Sequence, residues 1–265
     1  MNMKKWSFLA LAALLVVAIS ACGKKEEGGS GGKVYKFATD AAYSPMELMD
    51  KDKVVGFDAD FLDAVMKEAG LEYTLTNTGW TQMLEFVKQG TEYDGGISSI
   101  SITDDRKQSY DYTSPYFESR NMILAKKGSG LKTGEDLKDK KVAVQEGTTA
   151  NDIMEGIMGK DNSNLKRFES NTLAFVELDK GGVDAVVADI AIVGEYLKQN
   201  PDKNLEAVDP NFPSEFYGIL LPKNSELKAK LDPAIKKVLE SDKYKEIYRK
   251  WIGNEPNVEN ILNAK

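Results

Sequence analysis

The stretch YDGGISSISITDDR, residues 93–106, decides how this chain can fold. It begins with small and β-branched residues, which predicts a short strand buried among its neighbours. Hydroxyl side chains follow at Ser99, Ser101 and Thr103, and Thr103 is a typical N-cap for a helix that starts with two aspartates. Arg106 lies in the first turn of that helix, where the helix dipole disfavours a positive charge.

The unfavourable position of Arg106 makes it a candidate for function. Ligands of open α/β sheets bind beyond the carboxyl ends of the strands. The hydroxyls of Ser99 and Ser101 and the guanidinium of Arg106 are therefore expected to converge on a small anionic group. Alternatively, Arg106 pairs with Asp104 or Asp105 on a solvated face and binds nothing.

Strand and helix patterns alternate before this stretch. Residues 34–39 alternate as a strand, and a loop with Tyr43 follows. Apolar residues then recur at helical spacing up to Gly70, residues 71–76 form a second strand, and a further helix begins at Trp80. Strand, helix, strand, helix, strand predicts a parallel, doubly wound sheet.

A second α/β unit begins at Lys141. Its predicted elements are a strand at 141–145, a helix at 151–158, a strand at 165–168, an Asn-capped helix at 171–180 and a buried strand at 184–189. Residues 120–126 and 216–222 are predicted to be extended, residues 110–117 a loop, and residues 225–240 and 242–251 helices. Two units joined by two extended crossings predict a hinged cleft with binding groups on both walls.

The predicted fold class is α/β, with two doubly wound lobes joined by two hinge strands. The predicted segments are a signal peptide at 1–21, a flexible tether at 22–32, lobe 1 at 33–121 and 217–253, lobe 2 at 122–216, and a C-terminal tail at 254–265. The tether GKKEEGGSGG contains no apolar residue, which is typical of a flexible linker.

The N-terminus predicts export and lipid anchoring. Lys4 and Lys5 precede an apolar run at 6–19 that is too short for a stable membrane span. The sequence ISAC ending at Cys22 resembles the bacterial lipobox, in which the cysteine is acylated. The alternative is an ordinary secretory signal with an incidental cysteine. We expect an extracytoplasmic protein anchored to the cell membrane through Cys22.

Composition excludes several classes of function. The 265 residues include no histidine, so the usual general base and the commonest metal ligand are absent. No G-x-S-x-G motif stands between a predicted strand and a predicted helix, as a nucleophile elbow requires, and no G-x-x-x-x-G-K-[ST] phosphate-binding loop is present in the sequence. The net charge of −7 should repel nucleic acid and anionic lipid surfaces. We expect no cofactor, no metal and no enzymatic activity.

Eight landmarks carry a resemblance to a known family. They are DAAYSP, VGFDADFLDAV, the aromatic Trp80, ISSISITDDR, QEGTT, GGVDAVVAD, FYGILLPK and YKEIYRKWIG. Over residues 33–253 the chain resembles the polar amino-acid-binding proteins of ABC importers, the family-3 bacterial solute-binding proteins. The resemblance implies two hinged lobes that close around one free L-amino acid, a monomer, and an ABC permease as the membrane partner.

The resemblance also implies roles for nine residues. Five would contact the carboxylate or ammonium shared by all amino acids: Arg106, Ser101 and the backbone N–H groups at Thr148 and Thr149 would hold the α-carboxylate, and Asp189 would hold the α-ammonium. Ser99 would assist Asp189. Around the ligand side chain, Tyr43 and Trp80 would form a sandwich, and Asp40 would face the distal end.

Structural roles could also account for several of these residues. Thr148 and Thr149 could simply cap a helix, and Asp189 could be the N-cap of the helix that follows it. Tyr43 and Trp80 could be core aromatics. Capping by Asp189 is compatible with ammonium binding.

The residues expected around the side chain favour a basic amino acid. One carboxylate, Asp40, beside two aromatic faces suits a cation through ion pairing and cation–π attraction. The resemblance is strongest to binders of arginine, lysine and histidine. A neutral polar ligand such as glutamine remains an alternative, as do a dehydratase-type enzyme on the same fold and a sensor or adhesive surface lipoprotein.

Overall fold

Helices pack against two large β-sheets in the computed structural model, which describes residues 32–264. The predicted signal peptide, Cys22 and all but the last residue of the predicted tether lie outside the described residues. No helix of the described part is long and apolar enough to cross a membrane.

The described residues form fourteen strands and nine α-helices. The strands are β1 (Val34–Thr39), β2 (Ala42–Tyr43), β3 (Glu47–Asp50), β4 (Lys53–Val55), β5 (Glu72–Asn77), β6 (Gly95–Gly96), β7 (Tyr110–Tyr112), β8 (Phe117–Lys126), β9 (Val142–Gln145), β10 (Leu165–Phe168), β11 (Ala185–Asp189), β12 (Leu205–Val208), β13 (Ser214–Tyr217) and β14 (Leu220–Pro222). The helices are α1 (Phe57–Ala69), α2 (Trp80–Gln89), α3 (Asp104–Ser109), α4 (Thr149–Met158), α5 (Asn171–Asp179), α6 (Ile190–Gln199), α7 (Leu227–Leu239), α8 (Asp242–Trp251) and α9 (Val258–Asn263).

The first sheet has the strand order β5-β1-β6-β14-β7. Strand β1 pairs in parallel with both β5 and β6, as the alternation of strands and helices predicts. Strands β14 and β7 extend this sheet in antiparallel pairing. Because β1 and β6 are parallel neighbours, their carboxyl ends lie side by side at the same edge of the sheet.

The second sheet has the order β10-β9-β11-β8-β12. Strands β10, β9 and β11 are parallel to one another, whereas β8 is antiparallel to β11, and β12 is in turn antiparallel to β8. Strand β8 is ten residues long, and its first four residues pair with β13. Two largely parallel sheets that each include antiparallel strands confirm the predicted α/β class with two lobes.

Within residues 93–106 the predicted buried strand is only two residues long, Gly95–Gly96. A Cβ atom at Gly95 would lie 2.8 Å from the Phe37 ring and 3.0 Å from the Leu220 carbonyl oxygen, so only glycine fits there. The predicted N-cap is confirmed, because the Thr103 hydroxyl accepts a hydrogen bond of 3.2 Å from the Arg106 amide. The stretch therefore turns from sheet to helix within a few residues.

Several elements differ from the sequence-based expectation. The predicted loop after β1 contains the small sheet β2-β3-β4, and the predicted loop at 110–117 begins with β7. Helix α5 is capped by Ser170 and not by Asn171, whose side chain points into the protein instead. The predicted tail contains helix α9, which buries Ile261. Strands of two to four residues are too short to show a period in the sequence.

Gly95→Ala should destabilise the fold. The added methyl group would press on a ring and a backbone carbonyl, which typically costs about 1–3 kcal/mol. Gly156→Ala is the matched control, since Gly156 lies inside α4 with open space around it and should gain about 0.5–1 kcal/mol. Urea denaturation of both variants measures the two effects. A Gly95→Ala variant as stable as the wild type would contradict the close approach described here.

Candidate functional site

All nine predicted ligand-binding residues line one cavity. They are Asp40, Tyr43, Trp80, Ser99, Ser101, Arg106, Thr148, Thr149 and Asp189. Six further residues complete the lining: Ser98, Asn121, Gln145, Ala150, Asn171 and Ala188. Many of them sit at or just beyond the carboxyl ends of parallel strands, where α/β sheets bind ligands.

Arg106 faces the cavity and not a surface aspartate. Its guanidinium donates to the carbonyl oxygens of Ser101 and Gly147, each at 3.0 Å, and lies 5.4 Å from the centre of the Trp80 ring. Asp104 pairs instead with Lys107, at 3.3 Å. The alternative interpretation of Arg106 as a surface ion pair is therefore not what the structure shows.

The start of helix α4 forms part of the opposite wall. The Thr148 hydroxyl accepts from the Asn151 amide at 3.3 Å and donates to the Gln145 carbonyl at 2.8 Å, so Thr148 does cap the helix. The first N–H groups of a helix lack partners within it and attract negative charge. Capping and anion binding are compatible here.

Asp189 ends β11 and is buried where the two walls meet. It occupies the N-cap position of α6 but makes no capping hydrogen bond with its side chain. Its Oδ2 atom instead accepts from the Tyr43 hydroxyl at 2.5 Å and from the Tyr217 hydroxyl at 2.7 Å. Burial and, after it, the nearby charge of Glu215 raise the pKa of the Asp189 carboxyl to about 7.

A second hydrogen-bonded group surrounds Asp40. Gln145 donates to Asp40 Oδ2 at 3.0 Å, and Asn171 donates to Gln145 Oε1 at 2.8 Å. Burial raises the pKa of the Asp40 carboxyl above its ordinary value. The Oδ1 atom of Asn171 is buried and has no hydrogen-bond partner among residues 32–264. This group offers several acceptor atoms to the cavity.

Gln145 and Asn171 were missed from the sequence. Gln145 is a polar residue at the end of a buried strand, and Asn171 directly follows the strand-to-helix turn after β10. Their positions at strand ends were the available signal. The hydrogen bond from Asn171 to Gln145 joins segments 26 residues apart and could not be read from the sequence.

Two buried carboxyl groups support the serines behind the cavity. The Ser98 hydroxyl donates to Glu47 at 2.6 Å, and the Ser99 amide donates to Asp58 at 2.6 Å. Burial raises the pKa of Asp58 to about 6 and that of Glu47 well above its usual range. Ser99 has a φ of 51°, which is uncommon for a residue other than glycine. These bonds hold it in that conformation.

Glu215 was also missed from the sequence. It lies on β13, and its carboxylate accepts from Ser101, Thr149 and Asn121 at 2.5, 2.8 and 2.8 Å. Sequence alone gave no sign that β13 would reach the cavity residues.

The arrangement is suited to holding a ligand that carries both signs of charge. One guanidinium and two carboxylates lie among polar donors and acceptors in a single buried cavity. Within residues 32–264 no group of three or more histidine, cysteine, aspartate or glutamate side chains is placed to hold a metal ion. The geometry supports non-covalent recognition through ion pairs and hydrogen bonds.

Known proteins with similar sequences and structures are amino-acid-binding proteins. A probable histidine-binding protein of Neisseria gonorrhoeae is 38% identical over 264 residues, covering 96% of this chain and 98% of that protein. The arginine-binding extracellular protein ArtP of Bacillus subtilis (strain 168) is 30% identical, covering 96% of this chain and 100% of that protein.

A solved structure of an amino-acid-binding protein is also similar to this chain. The arginine-, lysine-, histidine-binding protein ArtJ of the thermophilic bacterium Geobacillus stearothermophilus matches with a TM-score of 0.83 and 50% identity, covering 87% of this chain and 100% of that one. The family model of the bacterial extracellular solute-binding proteins, family 3, matches residues 35–254. The resemblance found in the sequence is confirmed, and the chain belongs to the bacterial extracellular solute-binding proteins of family 3.

Proposed function

We propose that this protein is the extracytoplasmic receptor of an ABC uptake system and binds a basic amino acid. The observation that carries this proposal is the charge of the cavity, which contains the carboxylates of Asp40 and Asp189 and the guanidinium of Arg106. The ammonium and carboxylate common to all amino acids would pair with Asp189 and Arg106. Asp40 then remains for a positive side chain.

The α-carboxylate would be held by Arg106 and the start of helix α4. A planar guanidinium matches a carboxylate with two parallel hydrogen bonds, and the free N–H groups around Thr149 add donors to the same charge. The backbone carbonyl of Ser101 accepts from the Arg106 guanidinium and so helps to fix its position. The α-ammonium would bind Asp189, with Ser99 nearby.

The side chain of the ligand would meet the group around Asp40. Burial disfavours the charged form of Asp40, so a cation close to this carboxylate restores an ionised state that burial alone opposes. Asn171 Oδ1 supplies another acceptor, and Tyr43 and Trp80 supply aromatic faces. A ligand with a neutral side chain leaves the Asp40 charge without compensation. The relatives named as histidine- or arginine-binding support the same class of ligand.

We propose a binding protein and not an enzyme. The relatives described above are named as binding proteins, and the chain contains no histidine. The carboxylates that could transfer protons, Asp40 and Asp189, are both engaged by hydrogen-bond donors. We further propose that the protein acts as a monomer that presents its ligand to a membrane permease.

Calorimetry on the mature domain, freed of ligand by refolding, should detect binding of arginine, lysine or histidine. Arg106→Ala should weaken binding of every amino acid by about two to three decades, because it leaves a desolvated carboxylate unpaired. Arg106→Lys should recover part of this, since an ammonium lacks the bidentate fork. Asp40→Asn should weaken arginine binding by about tenfold and should change glutamine binding little.

Two variants serve as matched controls for this experiment. Arg249→Ala removes an exposed guanidinium that pairs with Glu255, and Asp50→Asn removes a carboxylate at the exposed end of β3. Neither should change affinity. The proposal fails if Arg106→Ala binds amino acids within a few-fold of wild type. A preference for glutamine over all basic amino acids would remove the assigned ligand class and leave the receptor role.

Arginine binding should weaken as the pH falls below about 7. In the free site the proton on Asp189 competes with the ligand ammonium, because the pKa of this carboxyl is raised to about 7. Affinity should fall by up to about tenfold for each pH unit below that value, while arginine itself keeps its charges. Asp189→Asn should bind weakly with little pH dependence. Titration calorimetry from about pH 5 to pH 8 measures both profiles, and a flat wild-type profile would contradict the assignment of Asp189.

Lipid anchoring through Cys22 is part of the proposal. Two acyl chains bury enough CH2 groups, at about 0.8 kcal/mol each, for stable membrane attachment. Wild-type protein should enter the detergent phase on Triton X-114 partitioning, whereas Cys22→Ser should remain uncleaved or be released. Amino-acid binding by residues 33–265 should be the same in both. Mass spectrometry that finds mature wild-type protein without lipid on Cys22 would exclude the anchor.

A further inference from the structure

Glu215 carries an inference about how the cavity recognises its ligand, and this inference rests on the proposed function. Its carboxylate accepts hydrogen bonds from Ser101, Thr149 and Asn121, which come from three separate segments. An ionised carboxylate has no proton to give, so every neighbour must turn a donor toward it. Glu215 thereby fixes which atoms of these neighbours remain for the cavity.

Because the Glu215 carboxylate can only accept hydrogen bonds, it orients the side-chain amide of Asn121. Its nitrogen donates to Glu215 at 2.8 Å and to the Thr149 hydroxyl at 3.2 Å. The opposite atom, Oδ1, is buried and has no hydrogen-bond partner within the described part of the chain. Asn121 lines the cavity and pairs with Asp189 across strands β8 and β11. Directly opposed residues of an antiparallel pair project from the same face of the sheet, so the side chains of Asn121 and Asp189 share one face.

The two hydroxyl groups are oriented in the same way. Ser101 donates its single proton to Glu215 at 2.5 Å, and Thr149 donates its proton to the same carboxylate at 2.8 Å. A hydroxyl that has given its proton can only accept further hydrogen bonds. The oxygen of Ser101 therefore offers lone pairs to the cavity. The lone pairs of Thr149 already receive the Asn121 amide.

These orientations leave three acceptors in one region. They are Ser101 Oγ, Asn121 Oδ1 and Asp189 Oδ1, since Asp189 Oδ2 already accepts from Tyr43 and Tyr217. An ammonium has three N–H donors. We propose that Glu215 is a positioning residue that turns this wall into the α-ammonium subsite. The α-carboxylate is then bound by Arg106 and backbone N–H groups, without the hydroxyl protons of Ser101 and Thr149.

Glu215→Gln tests the proposal, because an amide must present N–H groups where the carboxylate only accepted. Three probes separate the two ends of the ligand: arginine, agmatine, which lacks the carboxylate, and 5-guanidinopentanoic acid, which lacks the α-amine. Arginine and agmatine should both bind about tenfold more weakly, and 5-guanidinopentanoic acid should change less than about twofold. Glu118→Gln is the matched control, since it removes the same charge from the strand paired with β13, and the Glu118 carboxylate accepts from none of these neighbours. It should bind all three probes as wild type does.

Three results would overturn the inference. Glu215→Gln could bind arginine as well as or better than wild type, or it could lose arginine while keeping agmatine, which would place the hydroxyl protons on the ligand carboxylate. An equal loss of all three probes would indicate a general structural defect. If a thermal melt shows that Glu215→Gln does not fold, Ser101→Ala replaces it. The Ser101→Ala variant should lose equal affinity for arginine and for agmatine. A loss of affinity for arginine alone would contradict the proposal. Wild-type protein that binds no amino acid would remove the proposed function together with this inference, whereas wild-type binding with an unaffected Glu215→Gln would remove this inference alone.

Discussion

The cavity depends on keeping a carboxylate charged where water is excluded. Asp189 is buried at the meeting of the two walls, and burial opposes its ionised form. Tyr43 reaches it from the first wall and Tyr217 from the strand that crosses between the sheets, yet both hydroxyls use the same carboxylate oxygen. The other oxygen still requires a positive partner. A site built in this way gains its full stability only with a cation in place, which is a property of a receptor.

Much of the fold was predictable because apolar residues recur along its long helices and strands at the spacing typical of each element. Helix α1 ends at Gly70, in the left-handed conformation that only glycine adopts readily, and this end was evident in the sequence. The sheet β2-β3-β4 was not, since its strands are two to four residues long and its hydrogen bonds, not its side-chain pattern, define it. Capping by Ser170 instead of Asn171 depended on burial, because the Asn171 side chain is drawn toward Gln145.

The candidate site was predictable at residues whose own charge or capping ability, next to a strand end, indicates a role. Arg106, Asp189 and the threonines of α4 are charged or capping residues next to strand ends, and the structure brings them to one cavity. Gln145, Asn171 and Glu215 act through partners that are distant in sequence. Glu215 is 114 residues from Ser101 and 66 from Thr149. Only the folded chain shows that an apparently ordinary glutamate on β13 decides which atoms of its neighbours face the cavity.

The pairing of β8 with β13 limits how the two sheets can move. Both strands run between the units side by side, joined along four residue pairs, and so form a two-stranded ribbon. A ribbon bends easily across its flat face but resists shear and in-plane bending, because those would stretch its hydrogen bonds. A movement of one wall relative to the other would therefore bend this ribbon and would not slide its two strands past each other.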